Sequence, residues 1–126
     1  MKLKHTLALA FTLLASSWSY AINVVPYSSE ALAKLQNAGE PVALHFHAEW
    51  CPTCKAQAKS LESLKADPSL NLTVLSVDYD KETALKKQLH VRSQSTFIVY
   101  RGAAEKARQI GETSPEAIRK TLSSAL

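Results

Sequence analysis

Cysteine is scarce in this chain, with 2 residues in 126, so a multi-disulfide scaffold is excluded. Neither cysteine stands directly behind the apolar stretch at the start of the chain, which argues against a lipid-modified N-terminus. Long hydrophobic runs are missing too. After residue 21 no segment approaches the roughly 20 apolar residues that a membrane-spanning helix needs. A strong excess of one charge is also absent, with 15 Lys and Arg against 11 Asp and Glu, scattered rather than clustered. That distribution gives no footprint for nucleic acid. There is no internal repeat, linker or low-complexity segment. What remains is 46% hydrophobic and 21% charged, the composition of one globular domain.

The first residues differ in kind from the rest. Met1-Lys2-Leu3-Lys4-His5 is basic, Thr6 to Ala15 is apolar, and Ser19-Tyr20-Ala21 puts small residues at −3 and −1 of a cut after Ala21. This is the layout of a secretory signal peptide. The apolar run is about half of the roughly 20 residues of a spanning helix, which argues against an uncleaved anchor. The sequence therefore predicts a leader over residues 1–21, a mature domain over 22–126, and a periplasmic location. Loss of the leader removes Lys2 and Lys4, leaving 13 of the 15 basic residues against 11 acidic ones. Part of the precursor's basicity is thus a targeting feature.

Both cysteines lie in one stretch, His45-Phe46-His47-Ala48-Glu49-Trp50-Cys51-Pro52-Thr53-Cys54-Lys55. In an exported protein such a pair could be a structural staple. However, a C-x-x-C loop is too small to constrain the unfolded chain usefully. The pair sits after an apolar run (Val42 to Phe46) and before a stretch with helical spacing. If Cys51 caps that helix, Pro52 takes the first helical position, where its missing N–H costs nothing. The free N–H groups of Thr53 and Cys54 then point at the Cys51 sulfur, and with the helix dipole they favour its thiolate. That is the chemistry of an attacking cysteine with a resolving partner.

The remaining elements follow from local signals. Ile22 to Val25 reads as a short edge strand ended by Pro26. Ser28 caps a helix to Ala38, with Ala31, Leu32 and Leu35 on one face and Gly39 as its stop. Pro41 opens a buried strand, Val42 to His47. The helix from Cys51 runs to about Ala66, with Ala58, Leu61 and Leu64 inward, and Asp67-Pro68 ends it. Leu72 to Val77 is the next strand. Asp80 is expected to cap a helix over Lys81 to Leu89. Thr96 to Tyr100 and Glu105 to Ile110 form a hairpin, and Ser114-Pro115 starts a last helix. The order is strand, helix, strand, helix, strand, helix, strand, strand, helix. It predicts an α/β fold: a parallel core sheet covered on both faces, made mixed by an antiparallel hairpin at one edge.

From Pro41 to Gly111 the sequence resembles thioredoxin. Pro41 through Lys55 is similar to the family's strand and its A-E-W-C-x-x-C-K active site. Leu72-Thr73-Val74 and Asp80 match the next strand, Val91-Arg92 through Thr96 the approach to the third, and Gly111 the glycine before the last helix. The resemblance implies a thioredoxin fold and thiol–disulfide oxidoreductase activity on protein disulfides or thiols. It implies an exposed nucleophile, Cys51, which forms a mixed disulfide, and a more buried Cys54, which resolves it. The same two residues would form the redox disulfide. Trp50, Pro52, Thr53, Gln94, Ser95 and Gly111 would line the substrate site. No organic cofactor is implied, because the cysteine pair carries the electrons.

Three departures from the family pattern bear on mechanism. His45 replaces a buried aspartate that serves proton transfer for the resolving cysteine. It can do that job, with an unperturbed pKa of about 6.5, and if charged would favour the Cys51 thiolate. Alternatively it is a neutral core histidine with one hydrogen bond. His47 replaces a tryptophan, and in a strand it faces the same way as His45. His45, His47, Cys51 and Cys54 are therefore also a plausible ligand set for Zn or Cu, which gives the rival reading of a metal-binding or metal-delivery module. Ser95 replaces a cis-proline that faces the active site. A cis bond before a non-proline costs ~2.5–4 kcal/mol, so the Gln94–Ser95 bond is expected to be trans.

The Pro52-Thr53 dipeptide resembles that of periplasmic reductases serving cytochrome c maturation, which favours a reductant. A charged histidine pair would favour an oxidant. A reductant in an oxidising compartment needs electrons from a membrane thiol–disulfide carrier as its partner, and the protein is expected to be a monomer. A non-catalytic binding domain of the same fold is disfavoured by the intact cysteine spacing.

Overall fold

A computed structural model describes residues 21–126. The leader expected over residues 1–21 lies, Ala21 apart, outside the described residues. Among the described residues nine elements follow in the expected order: β1 (Ile22–Pro26), α1 (Ser29–Asn37), β2 (Pro41–His47), α2 (Pro52–Leu64), β3 (Leu72–Asp78), α3 (Thr83–Gln88), β4 (Thr96–Arg101), β5 (Ala104–Ile110) and α4 (Pro115–Ser123). They build one five-stranded sheet in the order β1-β3-β2-β4-β5. Strands β1 and β2 both run parallel to β3. Strand β4 runs antiparallel to β2, and β5 antiparallel to β4.

Strand alternation sorts the core into two layers. Val42, Leu44 and Phe46 of β2 point to the side where Ala31, Leu32 and Leu35 of α1 and Leu85 of α3 pack. Ala43 points to the other side, among Leu61 and Leu64 of α2, Phe97 and Val99 of β4, and Ile118 and Leu122 of α4. His45, two residues on from Ala43, falls on that second side, with its ring stacked 4.2 Å from Phe97. Strand β2 is central and buried on both faces, as its near-continuous apolar sequence requires. Its C-terminal end delivers the cysteine pair.

The helix signals act as expected at α1 and α4. The Ser28 hydroxyl accepts the Ala31 N–H at 3.0 Å, and that of Ser114 accepts the Ala117 N–H at 3.1 Å. Gly39, with φ 69°, ends α1 in the left-handed region that glycine enters without strain. Asp80 does not cap α3. That helix starts two residues later, and its first flanking residue, Glu82, makes no side-chain cap. Asp78 instead accepts the N–H groups of Asp80 and Lys81 at 3.0 and 3.1 Å, turning the chain after β3. The Asp80 carboxylate is thereby left for a different partner, described below.

Candidate active site

Cys51 is the N-cap of α2, with Pro52 at the first helical position. Its sulfur accepts the Cys54 N–H at 3.1 Å, so the unpaired donor of the first turn points at the sulfur. Cys51 and Cys54 are joined as a disulfide, with Cα atoms 5.3 Å apart. Cys54 is fully buried, as expected. Cys51 is not the exposed residue expected from sequence: it is only 2% exposed. Ala48 packs with the two cysteines, Tyr79 packs against that cluster, and the Ser95 hydroxyl approaches both sulfurs.

Ser95 sits at φ 64°, and no cis peptide bond occurs among the described residues, so the Gln94–Ser95 bond is trans. The left-handed backbone is strained for a residue with a Cβ, and three hydrogen bonds hold it. The Ser95 N–H donates to the Phe46 carbonyl at 2.9 Å, and its own carbonyl accepts the Gly111 N–H at 3.0 Å and the Gln57 amide at 3.0 Å. Its hydroxyl lies 3.2 Å from the Cys51 sulfur and 3.1 Å from the Cys54 sulfur.

Gln57 is the residue that sequence reasoning passed over. It is completely buried on the inner face of α2, in line with Cys54, Leu61 and Leu64. Its amide also donates to the Glu112 carbonyl at 2.9 Å. Both amide protons are then committed, so its oxygen must accept from His45 Nε2, 2.8 Å away. This fixes the His45 tautomer with the proton on Nε2. Burial of the imidazole, opposed by the Gln57 bond and aided by neighbouring His47, pushes the His45 pKa down to about 4. Buried, with one side-chain hydrogen bond and a lowered pKa, His45 has the surroundings of a core histidine and not of a charged one. The signal for Gln57 was its spacing of three from Cys54, which puts a polar amide inside an apolar stripe.

His47 lies edge-on to His45, ring centroids 5.5 Å apart, with Nδ1 3.8 Å from Glu49. Among the described residues no group of three or more His, Cys, Asp or Glu converges as a metal-ligand set. His45 Nε2 is spent on Gln57, and the two sulfurs on each other. The metal module is therefore not favoured.

Trp50 stands 59% exposed beside the disulfide. Its indole N–H donates to Asp80 at 2.8 Å, which is the partner that the Asp80 carboxylate takes in place of a helix terminus. Pro52 and Gly111 are exposed, and Thr53 and Gln94 are half-buried. Gly111, at φ 78°, is tied by its N–H to Ser95. The structure thus brings the cysteines, Ser95 and Gly111 together, with Trp50, Pro52 and Thr53 adjoining them in the chain.

The thioredoxin family model matches residues 24–124. A thioredoxin of Mycolicibacterium smegmatis is 34% identical over 91 residues, spanning 71% of this chain and 81% of that protein. A bifunctional thioredoxin reductase/thioredoxin of Mycobacterium leprae is 30% identical over 72% of this chain, but the match spans only 20% of that protein. Among solved structures, Trxlp from Edwardsiella tarda is 42% identical with a TM-score of 0.75, over 79% of this chain and 98% of that one. Fasciola hepatica thioredoxin, at 24% identity and a TM-score of 0.67 over 82% of this chain and 99% of that one, shares the fold. The chain belongs to the thioredoxin family and is a thiol–disulfide oxidoreductase, with Cys51 and Cys54 as its C-x-x-C pair.

Proposed function

We propose that the protein is exported and acts as a reductant of protein disulfides in the periplasm. The observation that carries the chemistry is Cys51 at the N-cap of α2, its sulfur accepting a backbone N–H and within bonding reach of Cys54. In the reduced form that position favours the Cys51 thiolate. The thiolate attacks one sulfur of a substrate disulfide. The other substrate sulfur leaves with the bonding electron pair and takes a proton from water. Cys54 then loses its proton and attacks Cys51, releasing the second substrate sulfur as a thiol and closing Cys51–Cys54.

Two observations support the reducing direction. A buried, neutral His45 adds no positive charge to the interior behind the site, which weakens the argument for an oxidant. The Pro52-Thr53 dipeptide resembles that of periplasmic reductases. On this reading a membrane thiol–disulfide carrier returns the electrons, and the protein works as a monomer. Export rests on the basic, apolar and small-residue order of residues 1–21, and N-terminal sequencing of the periplasmic protein should begin at Ile22.

The chemistry is tested by turnover of an interchain protein disulfide with dithiothreitol as recharging reductant. The wild type should accelerate it, and Cys51→Ser should be inactive. Cys54→Ser should accumulate a mixed disulfide with substrate, visible on non-reducing gels. A Cys51→Ser variant that retains activity would contradict the assignment.

A further inference from the structure

The Ser95 hydroxyl touches both reacting sulfurs, at 3.2 and 3.1 Å, and the thioredoxin pattern has no hydroxyl at this position. We propose that Ser95 is a catalytic residue that stabilises the reduced pair by donating its hydroxyl proton to the Cys51 thiolate while accepting the Cys54 S–H. The inference rests on the oxidoreductase reading of the same site.

A serine hydroxyl has one proton to donate and lone pairs to accept with. Between two sulfurs in the disulfide it can donate to only one, and a neutral sulfur is a weak acceptor. Reduction by two glutathione thiols changes the partners. Two electrons enter the Cys51–Cys54 bond, which breaks, and one proton stays with the pair. Glutathione disulfide and one proton are released. The helix N-terminus and the Cys54 N–H select Cys51 as the thiolate, so the retained proton sits on Cys54. The hydroxyl now has both a charged acceptor and a donor, and a hydrogen bond to an ion is about twice as strong as a neutral one. A second acceptor for the Cys54 S–H, the Phe46 carbonyl, is more distant at 3.9 Å.

The hydroxyl is held in place for this task. The three backbone bonds of Ser95, to Phe46, Gly111 and Gln57, hold its Cα over the pair. The left-handed φ of 64° aims the side chain at the sulfurs, and the residue is only 3% exposed, so water has little access to compete. Because the hydroxyl binds the reduced form more strongly than the oxidised one, it makes the couple more oxidising than the bare fold would be.

Ser95→Gly tests this directly. Glycine accepts the left-handed backbone without strain, so the variant should fold while lacking only the side chain. The Cys51 thiolate is titrated by its ultraviolet absorbance, and the pair is equilibrated with glutathione. The thiolate pKa should rise so that about tenfold less thiolate is present at a given pH below it. The equilibrium with glutathione should move about tenfold toward the disulfide, or about 30 mV. Ser95→Ala should give the same two shifts, since it too lacks the hydroxyl but keeps a Cβ. Agreement of both variants supports the proposal. No shift, or a shift in only one variant, overturns it, because the effect would then be absent or belong to the backbone. A wild type that fails to reduce protein disulfides would sink the reductase reading, and the thiolate titration would still decide the role of Ser95.

Discussion

His45 illustrates how a buried site changes the meaning of a residue. In sequence it could be a proton carrier or a charge that favours the thiolate. Burial against Phe97 and the Gln57 hydrogen bond leave it neutral, with its pKa pushed down to about 4. The consequence for stability has a definite sign. Between about 4 and the ordinary 6.5 the unfolded chain binds a proton that the folded chain does not, so stability falls as the pH drops through that window. The full effect is on the order of 3 kcal/mol, complete below the folded value. Urea unfolding at pH 7.5, 5.5 and about 4 should show this loss. His45→Gln should flatten the pH dependence across that range. Asp67 does not confuse the measurement. Hydrogen bonds from Ser69, then from Arg119, hold its carboxyl down to about 2, so its contribution is lost mainly between the ordinary 3.8 and about 2, and the His45→Gln control carries the same Asp67 background. An unchanged slope in His45→Gln would contradict the account.

At the scale of the element, α2 does more than present two cysteines. Its inner face carries Gln57, which ties β2 through His45, the loop before β4 through Ser95, and the loop before α4 through Glu112. Three segments far apart in sequence therefore meet on one side chain. Gln57→Leu leaves the buried His45 N–H without its partner, at ~1–3 kcal/mol, and removes one of the two hydrogen bonds to the Ser95 carbonyl and the bond to the Glu112 carbonyl. A loss of about 2 kcal/mol is therefore expected from the urea midpoint at unchanged slope. A loss under about 1 kcal/mol would mean that the amide is incidental. The same helix shows what the sequence reading caught and what it missed. Its start was legible, because Pro52 after Cys51 has a local steric meaning. The burial of Gln57 could be read from its spacing from Cys54, but its three partners could not, because they are 12 to 55 residues away and no local pattern announces them. Asp80 went astray for a related reason. Its spacing suits a helix cap, but Asp78 turns the chain first and Trp50 claims the free carboxylate.

At the scale of the whole molecule, element order and sheet composition followed from periodicity and turn residues, so the fold was legible almost throughout. The burial of Cys51 was not, since it depends on the Ser95 backbone entering the left-handed region, which three long-range hydrogen bonds impose. The assembled molecule carries a disulfide at the N-terminus of a helix, beneath one hydroxyl, with a neutral histidine buried in the strand that leads to it. That arrangement lacks the buried positive charge that would make the pair strongly oxidising. The most direct test is the reduction potential of the Cys51–Cys54 couple, measured by equilibration with glutathione under metal-free conditions. A reducing couple is predicted, within some tens of millivolts of thioredoxin's about −270 mV and on its oxidising side because of the Ser95 hydroxyl. A value near about −120 mV would contradict it, and would make the protein a donor of disulfides rather than a reductant.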